Sequence, residues 1–184
     1  MTIKEWREVA REHVADCRVF SVERSIAESP VDGKRHRFYR ILSGSWAQIV
    51  PITKEGDVVL VRQYRHGAGK ITLEMPAGLV DLGEDPAEAA VRECLEETGY
   101  RARNPISLGV VYPNPTLFAN RLYAYLATDV VPERAIQNVG AEETEVVLVP
   151  TRDLAKLMLD GTIDHALACA TFWRYLHEYA HLRP

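Results

Sequence analysis

Residues 78 to 100 read Gly78-Leu-Val-Asp-Leu-Gly-Glu84-Asp-Pro-Ala-Glu-Ala-Ala-Val-Arg92-Glu93-Cys94-Leu95-Glu96-Glu97-Thr98-Gly99-Tyr100, a glycine loop that feeds a short helix. Asp85 is suited to the N-cap, Pro86 to the first helical position and Gly99 to a left-handed end. On a 3.6-residue period Ala87, Ala90, Val91, Cys94, Leu95 and Thr98 gather on one face, and Glu93, Glu96 and Glu97 on another. The apolar face can dock on a sheet, which leaves the acidic face over a cavity.

Three carboxylates within one turn repel each other, so a free helix would gain from replacing one with lysine. Mg²⁺ or Mn²⁺ takes hard oxygen ligands and retains waters, and such an ion removes the repulsion. The competing reading is a solvated acidic face steadied by Glu88 and Arg92 at i, i+4.

The segment resembles the box of the Nudix hydrolases, G-x5-E-x7-R-E-U-x-E-E-x-G-U with U apolar. Gly78, Glu84, Arg92, Glu93, Glu96, Glu97 and Gly99 fall in register, and Cys94 and Tyr100 fill the U positions as packing groups. Outside the box, Val59-Leu-Val-Arg-Gln-Tyr-Arg65, Leu73-Glu-Met-Pro-Ala-Gly78, Tyr112-Pro-Asn-Pro115, Glu142-Glu-Thr-Glu-Val146 and Gly161-Thr-Ile-Asp-His-Ala166 are similar to the ADP-ribose pyrophosphatase and nucleoside-diphosphate-sugar hydrolase branch. A proline about 15 residues past the box accompanies ADP-ribose specificity there; Pro115 stands at that place, with Thr116 where glycine is usual.

The resemblance implies an α/β/α sandwich and a metal-dependent hydrolase that cuts a nucleoside diphosphate sugar into a nucleoside monophosphate and a sugar phosphate. It implies Mg²⁺, with Mn²⁺ as a substitute, held by Glu93, Glu96, Glu97 and the carbonyl of Ala77. Glu84 would support the site and Arg92 would orient carboxylates. Glu74 would contact substrate or metal-bound water, and Arg62 and Arg65, read as sharing a strand face, would contact phosphate or sugar. Metal-bound carboxylates are poor proton acceptors, so the base is sought outside the box: Glu142, or failing that Glu143. The branch also implies a homodimer whose N-terminal strands cross to the partner, here from residues 14 to 45. Alternative readings are a GDP-mannose or other sugar-nucleotide hydrolase, a Nudix-like module that senses the nucleotide without turnover, and a hydrolase of capped or triphosphorylated RNA ends.

The wider composition agrees. The 184 residues, 47% of them apolar, suffice for one domain with a sizeable core. A formal charge of −4 argues against a protein that coats nucleic acid. No stretch approaches the roughly 20 apolar residues of a membrane span, and Met1 to Val14 lacks the apolar core of a signal peptide. Cys17, Cys94 and Cys169 are odd in number, far apart and without metal-ligand spacing, which suggests reduced thiols in a cytoplasm.

The pattern predicts a short helix over Ile3 to His13, then two hairpins: Cys17–Glu28 with His36–Ser43 around Asp32-Gly33, and Trp46–Thr53 with Asp57–Tyr64 around Lys54-Glu55-Gly56. Strands follow over Ile71–Met75, Ser107–Tyr112, Arg121–Thr128 and Val146–Val149, and helices over Leu154–Leu159 and His165–His177, broken at Gly161. The expected layout is an α/β fold with a mixed sheet: an N-terminal antiparallel β extension over 1–45 and a hydrolase domain over 46–184. Trp6, Trp46 and Trp173 read as core or dimer contacts, His66 as an exposed loop residue that could line a sugar pocket, and His165 as part of the closing helix.

Overall fold

Ile49, Val50, Ile52, Val58, Val59 and Leu60 are fully buried, a near-continuous apolar run that marks strands covered on both faces. They lie in β4 (Trp46–Thr53) and β5 (Asp57–Arg65). The computed structural model describes residues 2–138 and 143–179 and resolves two compact units, Met1–Gly44 with Tyr112–Arg121, and Ser45–Val111 with Leu122–Pro184.

The first unit is an antiparallel sheet in the order β1 (Arg7–Cys17), β2 (Phe20–Glu28), β3 (Arg35–Leu42). The helix expected over Ile3 to His13 is absent. β1 instead pairs with β2 from Arg7↔Glu28 to Cys17↔Phe20, and cross-strand ion pairs such as Arg7–Glu28 at 2.8 Å and Arg40–Glu8 at 3.3 Å reward the extended form. Non-local pairing here overrides a weak local period.

The second unit holds a mixed sheet in the order β11 (Thr144–Pro150), β5, β4, β10 (Leu122–Pro132), β8 (Tyr100–Arg101); β6 (Lys70–Glu74) adds to β5, β7 (Ala77–Leu79) to β4 and β9 (Ile106–Val111) to β10. β4 and β10 run parallel, and every other pairing is antiparallel. Strand alternation distributes the core. Ala47, Ile49, Val59, Tyr125 and Ala127 meet Ala89, Ala90 and Cys94 of α1 (Pro86–Thr98) on one face. Val50, Ile52, Val58, Leu60 and Leu126 meet Leu154 of α2 (Leu154–Leu159), and Ala168 and Phe172 of α3 (Ala166–Arg174), on the other. The result is the α/β/α sandwich expected. The short β7 and β8 carry no period of their own, and they exist only because β4 and β10 offer edges.

Candidate active site

α1 starts and stops as its sequence dictates. The Asp85 carboxylate accepts from the Ala87 N–H at 2.8 Å, Pro86 occupies the first turn, and Gly99 turns left-handed at φ 74° while its N–H bonds the Leu95 carbonyl. The buried face is Ala89, Ala90, Cys94 and Thr98, joined by Glu97; Ala87, Val91 and Leu95 are only half-buried. Burial pushes the Cys94 thiol up to about 12, which fits a packing group at the U position.

The acidic residues of α1 do not form a solvated face. Arg92 passes over Glu88 and grips Glu84 side-on, Nε to Oε1 at 2.9 Å and Nη2 to Oε2 at 3.0 Å. The same guanidinium donates to Glu93 at 2.7 Å, Glu96 at 3.2 Å and the Leu79 carbonyl at 3.0 Å. This forked contact, foremost, holds the Glu84 carboxyl below its ordinary range. Glu97 is 4% exposed, and its carboxylate accepts from the Ala77 N–H at 3.0 Å. Gly78 of β7 leaves the room Glu93 needs, because a Cβ there would lie 2.1 Å from the Glu93 carboxyl carbon.

Glu93, Glu96, Ala77 and Gly78 form one side of a cavity of about 480 Å³, which Trp46, Gln48, Arg65, Glu74, Leu122, His165 and Leu167 also line. Glu74 is 2% exposed. Its Oε1 accepts from Arg65 Nε at 2.7 Å and from the Thr72 hydroxyl at 2.9 Å. Among the described residues, no three Asp, Glu, His or Cys side chains are drawn together as a ready metal-ligand group; Arg92 and the Ala77 N–H engage the carboxylates instead. The donor set still fits a divalent cation. Glu84, Glu93, Glu96 and Glu97 supply hard oxygens, and Arg92 bonds three of them.

Arg65 therefore reaches the cavity, while Arg62 does not line it. A strand has period two, so positions three apart face opposite ways, and the expectation that Arg62 and Arg65 share a face fails. Arg62 is exposed and pairs with Glu145 at 3.3 Å, its register partner on β11. Glu142 lies outside the described residues, and Glu143 is exposed directly before β11. The flanks of that loop are fastened to α1: the Gln137 N–H donates to the Glu96 carbonyl at 2.8 Å, and the Thr144 hydroxyl to the Glu97 carbonyl at 2.9 Å. Pro115 belongs to the first unit.

Sequence reasoning missed Trp46, Gln48 and His165 as lining residues. Gln48 carried a signal, a polar side chain amid an apolar strand; it is 2% exposed and donates to the Leu167 carbonyl at 3.1 Å and to the Thr171 hydroxyl. Trp173, expected in a core or dimer contact, is 66% exposed and stacks on His177.

The NUDIX domain family matches residues 45–168. The chain is 26% identical to an ADP-ribose pyrophosphatase of Bacillus subtilis, over 84% of this chain and 83% of that one. It is 30% identical to the ADP compounds hydrolase NudE of Escherichia coli, again over 84% and 83%. A crystal structure of an ADP compounds hydrolase superposes with a TM-score of 0.85 at 26% identity, covering 96% of this chain and 95% of its own.

Proposed function

The chain belongs to the NUDIX domain family, and from that membership we propose that it is a divalent-metal-dependent pyrophosphohydrolase that cuts ADP-ribose into AMP and ribose 5-phosphate. One observation carries the reading: Gly78, Arg92, Glu93 and Glu96 of the box line the same cavity as Arg65 and Glu74, while Glu84 holds Arg92 and Glu97 holds Ala77. Relatives over most of the chain are named for ADP-ribose or ADP compounds.

Glu93, Glu96, Glu97 and the Ala77 carbonyl would hold the cation, which we assign as Mg²⁺ with Mn²⁺ as a substitute. When bound, it neutralises diphosphate charge and makes a coordinated water more acidic. The chain's own residues supply the rest. Glu84 holds Arg92 in place, and Arg92 orients Glu93 and Glu96. Arg65 offers a forked donor to phosphate from a position fixed by buried Glu74. Glu142, with Glu143 as the alternative, accepts the proton of the attacking water, from a loop whose flanks are bonded to Glu96 and Glu97. Pro115 favours ADP-ribose over dinucleoside polyphosphates. Arg62, paired with Glu145 and outside the cavity lining, is the weakest member of the proposed binding set.

We place the protein in the cytoplasm as a homodimer that exchanges N-terminal strands, with neither a nucleic acid nor a membrane partner. No helix among the described residues is long and apolar enough to cross a membrane.

Turnover of ADP-ribose, GDP-mannose, UDP-glucose, dinucleoside polyphosphates and NADH, with and without Mg²⁺ and with products weighed by mass spectrometry, tests the reading. ADP-ribose is expected to give AMP and ribose 5-phosphate with the highest kcat/KM, and only with metal. A different sugar nucleotide in first place overturns the specificity. Binding of ADP-ribose without metal-dependent cleavage identifies a sensing module instead.

A further inference from the structure

His165 stands at the N-cap of α3, where its Nδ1 accepts from the Ala168 N–H at 3.4 Å. That bond assigns the ring proton. A nitrogen that accepts from a backbone amide is unprotonated, so in the neutral ring the proton sits on Nε2, a donor that bonds to nothing among the described residues. The side chain is 31% exposed and lines the cavity on which the box also borders.

Beside it lies the buried Glu74 carboxylate, with Nδ1 3.6 Å from Oε2. Oε1 of Glu74 is occupied by Arg65 and Thr72, whereas Oε2 accepts no hydrogen bond from a described residue. His165 and Glu74 both line the cavity, with Leu122 and Leu167, and the donor Nε2–H lies across the ring from the Nδ1 that stands 3.6 Å from the acceptor Oε2. A phosphate oxygen would meet the Oε2 charge at short range and be repelled. A hydroxyl can give its proton to one of the two groups and accept from the other, which suits it to this pair.

Resting on the ADP-ribose reading above, we propose that His165 is a specificity-determining residue: its Nε2–H and Glu74 Oε2 together bind a sugar hydroxyl of the nucleotide sugar. The substrate offers that chemistry twice, on the terminal sugar and on the nucleoside ribose.

The test separates the cap from the donor. Asn and Ser are both good N-cap residues, so His165→Asn and His165→Ser keep α3 capped and remove Nε2. Equilibrium binding is measured by calorimetry with Ca²⁺ in place of Mg²⁺, on ADP-ribose, on the β-methyl ester of ADP, which lacks the terminal sugar, and on the 2′,3′-dideoxyadenosine analogue. Both variants are expected to bind ADP-ribose about ten-fold more weakly, the scale of one lost hydrogen bond, with unchanged melting temperature. The penalty should vanish for one analogue, the methyl ester if the terminal sugar is read and the dideoxy analogue if the nucleoside is. An equal penalty on all three ligands, or none on any, overturns the proposal, since His165 then serves the diphosphate, the general shape of the cavity, or the cap alone. Mg²⁺-dependent turnover by the unmutated enzyme judges the hydrolase reading separately: its absence alongside a sugar-dependent penalty removes the hydrolase and keeps the hydroxyl subsite.

Discussion

Arg92 bonds Glu84, Glu93 and Glu96 at once, while the Glu97 carboxylate takes a bond from the backbone N–H of Ala77. Glu97→Gln keeps a carbonyl oxygen that can accept that same bond, so the fold should survive while a proposed ligand and its charge disappear together. We expect kcat to fall by about 100-fold or more with a melting temperature within a few degrees of the parent; near-normal Mg²⁺-dependent turnover removes Glu97 from the ligand set. Glu142→Gln should also lower kcat strongly but leave metal affinity intact, and unchanged kcat in both Glu142→Gln and Glu143→Gln rules out their loop as the source of the base. Gly78→Ala is the converse experiment. The added methyl meets first the end of the Glu93 side chain, which can swing aside, so stability should change little, by about 1 kcal/mol, whereas turnover should drop because Glu93 is displaced. Loss of stability with intact kcat in a thermal melt and a rate assay would show that Glu93 has no part in the chemistry.

α1 is the element on which the site depends, and its ends are local chemistry. Removing the cap in Asp85→Ala deprives the Ala87 N–H of its partner and should cost about 1 kcal/mol in denaturant unfolding; no measurable loss would show that another group takes over the cap. The Glu84–Arg92 fork makes a pH prediction. The Glu84 carboxyl lies below its ordinary 4.5 in the folded protein, first because Arg92 bonds it, so the folded state binds this proton more weakly than the unfolded chain. The stabilisation is therefore complete above about pH 5 and is lost as pH falls through the depressed folded value. The difference in melting temperature between parent and Glu84→Gln should be full at pH 7 and shrink below pH 4.5. A difference that stays constant to the lowest pH at which both proteins fold would mean that the fork contributes nothing to stability.

For the whole molecule, the proposed dimer is tested on the first unit. Its three-stranded sheet leaves Trp6, Val14, Phe38 and Tyr39 between 44% and 50% exposed, and Trp6 packs edge-on against Phe38 and His36 at 5.4 Å. Exposed apolar side chains such as the packed Trp6 and Phe38 are what a subunit interface covers. Phe38→Arg should convert the proposed dimer to a monomer in analytical ultracentrifugation, and a mass unaffected by the substitution, or a monomeric parent, counts against that assembly.

What the chain settles by itself is local or periodic. Asp85, Pro86 and Gly99 end α1 by their own side-chain and backbone preferences, and the apolar runs of β4 and β5 announce a sheet buried on both faces, so helix, core strands and box carboxylates were all legible. The expectation that Arg62 and Arg65 share a strand face fails on period alone, since positions three apart on a strand face opposite ways. Other features became defined only through tertiary contact. The segment from Arg7 to Cys17 is a strand because β2 offers it a ladder, and β7 and β8 are strands because β4 and β10 have edges to fill. Arg92 chooses Glu84 over Glu88 because the loop folds back onto the helix, and His165 meets Glu74 across 91 positions of chain only once α3 docks on the sheet. Caps and periods act over a few residues and are therefore written in the local sequence, whereas pairing and site assembly depend on surfaces that do not exist until the core has closed.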